Sequence, residues 1–518
     1  MKITWRDLLL AAGSGALTAI AFPRLGLSIL AWVSLIPLFY VLSRHSPGQS
    51  LFLSFLAGSV FYGILLYWIP AVPAHFGHLS TGTSILIYLG LILFLGLFWG
   101  FFGLLFGRIR QRFPRLAFWL APLAWVGVEF LLTFVLTGLP WGLLGYTQYR
   151  NLWVLQTAAL TGVFGVSFLI VLLQSLFVLS LTRKKRAPFF VGLAVVLLAH
   201  VAGLVSLKKV EPAPESFTAG IVQGNVSPDD NGPAGGQRDY VGIFDQHLDL
   251  SRRAVKQGAG FVVWPEFSVP LCLSCTEPYY ARFKDGLLRF VRTTKATMLV
   301  GSIETTGTPE EGPYFNSAMC LAPDEPPTQY SKMHLVPFGE YTPYPAVFSW
   351  VKRMTRAIGD VTPGTVYVLH QYKNLKFGSP ICYEIIFPDL VRRFVRQGAD
   401  FLVTITNDGW YGRSWAPYQH FAISVFRAVE NRRFLLRAAT TGLSGIIDPY
   451  GRILAKSRLQ TKTFLTGTVT PMDVTTIYTR NGDWLAQAGL TLAFVFFMLA
   501  LLTRPQEGQK HDSSRGIY

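Results

Sequence analysis

Long apolar stretches are the feature of this sequence that most restricts its fold. Crossing a bilayer core of about 30 Å takes about 20 consecutive apolar residues in a helix, because backbone polar groups in lipid must be paired internally. Seven such stretches lie in the first 207 residues, and one more lies near the end. The sequence therefore predicts a multi-span α-helical membrane domain with eight transmembrane helices. Their approximate ranges are 7–23, 27–43, 51–71, 84–107, 116–138, 156–181, 188–207 and 485–503.

The first stretch has a second interpretation. Lys2 and Arg6 precede its apolar run, which is also the pattern of a cleaved signal peptide. Because further spans follow directly, an uncleaved first helix is the expected form.

Lysine and arginine are distributed unevenly between the two sets of short connections. One set, together with the chain ends, carries fourteen of these residues, whereas the other set carries only Arg24 and Arg150. Connections rich in lysine and arginine stay in the cytoplasm, so both termini are predicted to be cytoplasmic. The fourteen are Lys2, Arg6, Arg44, Arg108, Arg110, Arg112, Arg115, Arg183, Lys184, Lys185, Arg186, Arg504, Lys510 and Arg515.

This topology divides the chain into four segments. Residues 1–207 form a seven-helix transmembrane domain, and residues 208–484 form a polar domain on the outer face. Residues 485–503 form a C-terminal transmembrane helix, and residues 504–518 a cytoplasmic tail. The net charge of +17 follows in part from this topology. Without a basic and aromatic array, it does not indicate nucleic-acid binding.

The outer block changes from continuous apolar runs to short alternating units. Helical spacing of apolar residues predicts helices over 240–257 and 417–437, and alternation of strands and helices predicts an α/β domain. The strand-like runs are Phe217–Val226, Gly260–Trp264, Thr297–Ile303, Phe315–Leu321, Leu375–Cys382, Phe401–Thr406, Gly442–Ile447 and Thr463–Val469.

Three polar residues end strand-like runs of this block and suit nucleophilic catalysis. Cys382 offers a thiol, Glu266 a carboxylate and Lys332 an ammonium, which are the parts of an acyl-transfer site. The start of a helix after Cys382 is expected to favour its thiolate, and apolar neighbours are expected to raise the pKa of Glu266. Taken singly, each residue more often has a structural role: a buried small side chain, a cap or a surface charge.

These residues lie in segments that resemble a known family. The segments resemble the Glu–Lys–Cys triad of the nitrilase, or carbon–nitrogen hydrolase, superfamily, and the membrane flanks narrow the resemblance to the apolipoprotein N-acyltransferase family of bacterial envelopes. Matching segments span nearly the whole chain. They are 21–23, 30–38, 67–69, 138–142, 222–225, 264–266, 332–340, 382–384, 406–412, 427–431 and 480–484.

The resemblance implies a nitrilase-like αββα sandwich and a two-step acyl transfer in a bacterial inner membrane. Cys382 would take an acyl chain from a phospholipid as a thioester while Glu266 removes its proton. The chain would then pass to the N-terminal amine of the diacylglyceryl-cysteine of an apolipoprotein, with Lys332 stabilising both tetrahedral states. The resemblance implies no metal or other cofactor, and we expect a monomer.

The resemblance also assigns supporting residues. Glu340 and Glu384 match acidic positions beside the triad, and Tyr383 and Trp410 match positions at the substrate entrance. One departure is visible, because the family's usual Lys-Trp stretch is replaced here by residues 226–233. A wider aromatic set either lines the entrance or packs in the core: Phe338, Tyr341, Tyr344, Phe348, Trp350, Trp410, Tyr411 and Trp415.

Other interpretations remain open. A membrane-tethered amidase or nitrilase would use the same triad on a small amide, although such a substrate does not require the helical front. A transporter with an outer sensory domain is a second alternative, but symmetric, Gly/Pro-broken spans are missing. Cys272 and Cys275 form a C-x-x-C pair without a second pair to complete a zinc site, and in an oxidising compartment they could form a local disulfide.

Overall fold

The computed structural model describes residues 2–207, 216–226, 239–269, 272–275, 277–307, 312–344 and 361–502. The predicted tail 504–518, most of the departing stretch 226–233, Phe348 and Trp350 lie outside the described residues. The helices of the N-terminal region are Trp5–Ile20, Ile36–Leu42, Pro47–Leu65, Ala71–His75, Thr81–Arg112, Leu116–Leu131, Leu152–Leu155, Ala158–Thr161, Val163–Arg183 and Ala187–Leu207, with 3₁₀ turns at Ser28–Trp32, Pro140–Gly142 and Leu144–Gln148.

Among the described residues, five helices are long and apolar enough to cross a membrane: Pro47–Leu65, Thr81–Arg112, Val163–Arg183, Ala187–Leu207 and Trp484–Leu502. The other three predicted spans hold shorter helices. Trp5–Ile20 and Leu116–Leu131 have 16 residues each, or about 24 Å at 1.5 Å per residue, and the stretch 27–43 is divided between a 3₁₀ turn and a short helix. The count of eight spans therefore stays a prediction.

Small residues bring the helices Pro47–Leu65 and Thr81–Arg112 into close contact. A Cβ on Gly103 would lie only 2.3 Å from the carbonyl oxygen of Ser50, so a larger residue would force the helices apart. Such stripes of small residues are the usual means of packing helices where lipid removes the hydrophobic driving force. The glycines on this face are Gly96, Gly100, Gly103 and Gly107.

The C-terminal helix Trp484–Leu502 returns to the same bundle. A Cβ on Gly489 would lie 2.5 Å from the carbonyl oxygen of Leu123, and one on Gly127 would lie 2.6 Å from Leu490. This helix therefore packs against Leu116–Leu131 backbone to backbone, although the whole outer block separates the two in sequence.

The outer block contains two six-stranded sheets. The first has the order β12-β1-β2-β3-β4-β5, and the second has the order β11-β10-β9-β8-β7-β6. In chain order, β1 to β12 are Phe217–Gln223, Phe261–Val263, Thr297–Thr305, Tyr314–Leu321, Thr328–Ser331, Leu369–Tyr372, Leu375–Gly378, Phe401–Thr406, Leu435–Ala439, Gly445–Ile447, Ile453–Lys456 and Thr463–Val469. The helices of this block are Tyr240–Lys256, Pro278–Thr294, Pro388–Arg396, Ala416–Asn431 and Ile477–Asn481, with 3₁₀ turns at Cys382–Ile386 and Asp408–Tyr411.

Alternation along the strands sorts the side chains into layers. Phe261 of the first sheet packs on Phe377 of the second, with ring centres 5.1 Å apart. Its neighbour Val262 faces the helices Tyr240–Lys256 and Pro278–Thr294 on the other side. The helices Pro388–Arg396 and Ala416–Asn431 cover the second sheet, where Phe394 lies against Gly378 and Phe421 against Gly445. The layers therefore run helix, sheet, sheet, helix.

The eight strand-like runs predicted from the sequence correspond to β1, β2, β3, β4, β7, β8, β10 and β12. The predicted helix over 417–437 was wrong at its C-terminal end. The helix stops at Asn431, Arg432 takes a left-handed conformation, and Leu435–Ala439 forms β9. Leucine and alanine favour helix in isolation, but parallel pairing with β8 in the buried sheet decides the conformation here. The pattern also missed β5, β6 and β11, which are short edge strands.

The helix Ala416–Asn431 joins the outer block to the N-terminal helices. Trp141 donates its indole N–H to Gln419 over 2.8 Å, and the backbone N–H of Val163 donates to Glu430 over 2.9 Å. Every residue of this helix except Tyr418 is buried. The second sheet is thereby positioned, through this helix, against the end of the helical bundle.

Cys272 and Cys275 form a disulfide. Glu304 of β3 holds the loop between them, because its carboxylate accepts hydrogen bonds from the backbone N–H groups of Leu273 and Ser274. The open question of the C-x-x-C pair is thus answered in favour of a local bridge.

Candidate active site

The structure brings Glu266, Lys332 and Cys382 together where the two sheets meet. Glu266 follows β2 and Lys332 follows β5 in the first sheet, whereas Cys382 follows β7 in the second. All three are buried, with 1%, 1% and 5% of their surfaces exposed. Burying two charged groups is unfavourable unless they are paired and hydrogen-bonded, so their partners determine what the site can do.

Glu266 is held from both sheets. Its Oε1 accepts a hydrogen bond from the side-chain amide of Asn316 over 2.7 Å and lies 3.4 Å from the Lys332 ammonium. Its Oε2 accepts from the backbone N–H of Asn407 over 2.7 Å. The carboxylate is therefore fixed in orientation before any substrate arrives, as a general base requires.

Glu340 holds Lys332. Its Oε1 lies 2.9 Å from the ammonium and also accepts from Asn316 over 2.8 Å, while its Oε2 accepts from the backbone N–H of Val336. Asn316 thus uses both amide hydrogens on the two carboxylates that flank Lys332. Asn316 was not recognised in the sequence; the one signal was an amide within the buried part of β4.

The ionisable groups Glu266, Lys332 and Cys382 shift one another's pKa values. Burial raises the pKa of Glu266, and the neighbouring Glu340 adds to the effect against the opposing charge of Lys332. Burial works against the Lys332 ammonium, but the carboxylates Glu340 and Glu266 outweigh it and raise the pKa of Lys332. Before substrate binds, the site therefore contains the Lys332 ammonium beside the Glu266 carboxyl group, whose pKa is above its ordinary value.

The thiol of Cys382 differs from the expectation. Burial, and then the negative charge of Glu266, raise the pKa of Cys382, although Lys332 opposes them. The thiol rather than the thiolate is thus the resting form, and the expected effect of the helix start is overcome by desolvation. Glu266 and Cys382 act on each other's pKa, so the carboxylate and the thiol lie close together.

The backbone at Cys382 has a conformation that is rare for a residue with a side chain. Its φ is +51°, in the left-handed region, which costs of order 1–3 kcal/mol outside glycine. Cys382 begins the 3₁₀ turn Cys382–Ile386 directly after the bridge between Ile381 and Ile405. This sharp turn at the end of a buried strand directs Sγ towards the carboxylate of the other sheet.

Glu384 ties the loop of Lys332 to the turn of Cys382. Its Oε1 accepts from the Tyr330 hydroxyl and the backbone N–H of Met333, both over 2.7 Å, and from that of His334 over 3.1 Å. Its Oε2 accepts from the backbone N–H of Ile381 over 2.7 Å. The geometry fits the expected supporting role, because one buried carboxylate fixes the segments that carry the ammonium and the nucleophile.

A buried network behind Cys382 was not recognised in the sequence. Thr406 donates its hydroxyl to Cys382 Sγ over 3.2 Å, and Asp408 pairs with Arg437 over 2.9 Å. His420 lies 3.0 Å from Asp408 and 3.2 Å from the carbonyl oxygen of Cys382. Although burial opposes ionisation, Arg437 and His420 hold the pKa of Asp408 at about 2. Thr406 and Asp408 lay in the matching segment 406–412, whereas His420 and Arg437 were predicted only as parts of a helix.

Tyr383 is buried rather than open to an entrance. Its hydroxyl donates to the carbonyl oxygen of Gly138 over 2.9 Å, and its ring packs on those of His334 and Phe387. His334 in turn lies 3.0 Å from the carbonyl oxygen of Thr137. These contacts join the segment beside Cys382 to the connection that follows the helix Leu116–Leu131.

Trp410 belongs to an aromatic group between the two regions. Its ring lies 4.5 Å from that of Phe76, and Tyr411 lies 4.8 Å from Trp68. Trp410 is half-buried, so part of its ring is reachable from outside. This group forms the boundary between the nucleophile's sheet and the connection that follows the helix Pro47–Leu65.

The family models and the relatives agree on one family. The apolipoprotein N-acyltransferase N-terminal domain matches residues 14–176, and the carbon–nitrogen hydrolase domain matches residues 218–478. An apolipoprotein N-acyltransferase of Geobacter metallireducens is 37% identical over 504 residues, covering 96% of this chain and 95% of the relative.

This chain belongs to the apolipoprotein N-acyltransferase family. A family member from Methylococcus capsulatus is 31% identical, covering 92% of this chain and 93% of that relative. The resemblance on the quoted motifs is thereby confirmed, together with a nitrilase-like fold for the outer block. Nit3 of Saccharomyces cerevisiae, from branch 10 of the nitrilase superfamily, is a solved structure similar to 57% of this chain, covering 97% of Nit3 with 18% identity and a TM-score of 0.39.

Among the residues that the structure describes, no group of three His, Cys, Asp or Glu side chains is placed to hold a metal ion. The apolipoprotein N-acyltransferase family assignment and the apolar helices make the chain a bacterial membrane protein.

Proposed function

We propose that this protein transfers an acyl chain from a membrane phospholipid to the N-terminal amine of the diacylglyceryl-cysteine of apolipoproteins, through a thioester on Cys382. One observation carries the proposal: a buried thiol, carboxylate and ammonium converge at the end of the domain that is joined to the helical region. The names of the relatives support the substrate class.

In the first half-reaction, Glu266 accepts the proton of Cys382 as Sγ attacks the ester carbonyl carbon. The negative charge that develops on the carbonyl oxygen is stabilised by the Lys332 ammonium. The ester C–O bond then breaks, and Glu266 returns the proton to the departing lysophospholipid oxygen. A thioester and a lysophospholipid are the products.

In the second half-reaction, the α-amine of the acceptor attacks the thioester carbonyl carbon. Glu266 accepts a proton from the attacking nitrogen, and Lys332 again faces the oxyanion. The C–S bond breaks as the amide forms, and the proton on Glu266 passes to the Cys382 sulfur. The site returns to its starting state, which is the condition for a ping-pong cycle.

The membrane location follows from the substrate. Each buried methylene of an acyl chain contributes about 0.8 kcal/mol, so the chain has to reach Sγ without passing through water. We propose that residues 1–207 and 485–503 span the bacterial inner membrane as eight helices, with 208–484 on the periplasmic side and both termini cytoplasmic. The protein acts as a monomer in this proposal.

The test uses purified protein with a fluorescent phospholipid and a diacylated lipoprotein peptide. We expect labelled N-acyl peptide with the wild type and none with Cys382→Ser. Cleavage of small amides without acyl-peptide formation would identify a membrane-tethered amidase and overturn the proposal.

A further inference from the structure

Two arginines depart from the charge asymmetry of the sequence, and their connections lie side by side, because Gln148 donates to the carbonyl oxygen of Ser28 over 2.9 Å. Arg24 and Arg150 are the only basic residues in the short connections on the outer side. Arg24 donates to the carbonyl oxygen of Arg413 over 3.2 Å, and its guanidinium lies 5.7 Å from the ring centre of Tyr418. The outer block contributes Lys456, whose ammonium lies 5.9 Å from the same ring.

These four residues, Arg24, Arg150, Arg413 and Lys456, form a basic patch on the surface. Among the described residues, none of them forms an ion pair with a carboxylate. Partial desolvation, and then the charge of Arg150, lower the pKa of Lys456. Cations that repel one another without a protein anion nearby are suited to an external anion.

The surroundings of the basic patch indicate a lipid surface. Directly after Arg24 come Leu25, Leu27 and Ile29, which are 49–72% exposed. Trp153, shortly after Arg150, is 51% exposed. Cations beside exposed apolar side chains and a tryptophan are typical of the level of the lipid headgroups.

The basic patch is separate from the triad but borders the aromatic group. Arg413 follows Trp410 by three residues, and Trp415 lies 5.2 Å from Tyr67 of the helical region. A headgroup held here would lie beside the connection that leads towards Cys382. On the basis of the proposed function and membrane orientation, we propose that the basic patch binds the phosphate group of a phospholipid in the outer leaflet.

The test measures lipid binding by native mass spectrometry of the full chain in detergent, without any reaction. Dioleoyl phosphatidylglycerol is titrated against dioleoylglycerol, which has the same chains and no phosphate. We expect the wild type to prefer the phospholipid and the triple variant Arg24→Gln, Arg150→Gln, Lys456→Gln to bind it about tenfold more weakly. The charge-conserving variant Arg24→Lys, Arg150→Lys, Lys456→Arg should keep most of the affinity.

A second triple variant controls for net charge. Arg282→Gln, Arg289→Gln and Arg292→Gln remove three charges from the helix Pro278–Thr294 and should leave phospholipid binding unchanged. The proposal would be overturned if both triple variants lost the same phospholipid affinity, or if the variant Arg24→Gln, Arg150→Gln, Lys456→Gln lost none. Full displacement of the phospholipid by millimolar inorganic phosphate would identify a free-anion site instead. If the variant Arg24→Gln, Arg150→Gln, Lys456→Gln bound an acidic peptide more weakly than the wild type but bound lipid equally well, the patch would be a site for a protein partner instead.

Discussion

The backbone N–H of Asn407 donates to Oε2 of Glu266 over 2.7 Å, and this bond joins the second sheet to the carboxylate of the first. Because Cys382 also belongs to the second sheet, Glu266 and Cys382 are positioned by the packing of two sheets rather than by one loop. The site is therefore assembled only when the sandwich is complete.

Glu266→Gln should abolish acyl-enzyme formation. The amide keeps the shape of the side chain but cannot take the thiol proton, and general-base catalysis contributes about 10²–10⁴-fold. Single-turnover formation of the thioester from a labelled phospholipid measures this rate.

Glu304→Gln is the matched control, since Glu304 is a buried carboxylate of the same sheet that holds the disulfide loop instead. It should keep the acylation rate. Normal acyl-enzyme formation in Glu266→Gln would remove Glu266 from the chemistry.

Asn316→Ala should move the acidic limit of acylation to higher pH. Glu266 accepts a proton only as a carboxylate, so the rate falls as the pH drops through its pKa. Burial raises that pKa and the Asn316 hydrogen bond lowers it, so loss of the amide raises it further. The pH profile of single-turnover acylation tests this, and Asn407→Ala, which keeps the backbone N–H, should leave the limit in place. An unchanged limit in Asn316→Ala would show that this bond has no influence on the base.

Glu384→Gln and Tyr330→Phe should show whether Glu384 positions Lys332 and Cys382 for the reaction or only stabilises the fold. Tyr330→Phe removes one of four donors to Glu384 and should reduce the free energy of unfolding by about 1.5–3 kcal/mol, the range for hydrogen bonds to charged groups, with little change in acylation rate. Glu384→Gln disturbs both segments and should lower kcat as well. Thermal unfolding and single-turnover rates measure the two effects. Equal rates in wild type and Glu384→Gln would limit Glu384 to a structural role.

Asp408→Asn should destabilise the outer block strongly. The substitution leaves the Arg437 guanidinium buried without a carboxylate, and breaking a buried pair in this way costs about 3–5 kcal/mol. Arg393→Gln removes a surface partner of Asp389 and should cost less than about 1 kcal/mol. Unfolding in urea measures the free energy of unfolding of both variants. Similar decreases in Asp408→Asn and Arg393→Gln would mean that the buried network contributes no more stability than the surface pair.

The sequence predicted well whatever depends on local pattern. The sequence showed the long apolar runs, the alternation of the strands and the three polar residues at the ends of runs. The positions of Glu266, Lys332 and Cys382 in the structure agree with a single site. The helix over 417–437 failed because burial and pairing with β8 decide the conformation of Leu435–Ala439.

The long-range partners could not be read from local pattern. Asn316 lies 50 residues from Glu266, and Arg437 lies 29 residues from Asp408, so no local spacing connects them. The direction of the Cys382 pKa was also wrong, because a strand-to-helix turn shows where a thiol is placed but not how completely it is desolvated. The domain boundaries and the eight spans stay predictions.

The mass of the intact protein after incubation with a phospholipid of defined chain length and no acceptor tests the thioester on Cys382 most directly. We predict one added acyl chain, located on the peptide that contains Cys382 and removed by hydroxylamine or by an acceptor peptide. An acyl chain on another residue, or an unmodified Cys382 in protein that forms acyl-peptide, would contradict it.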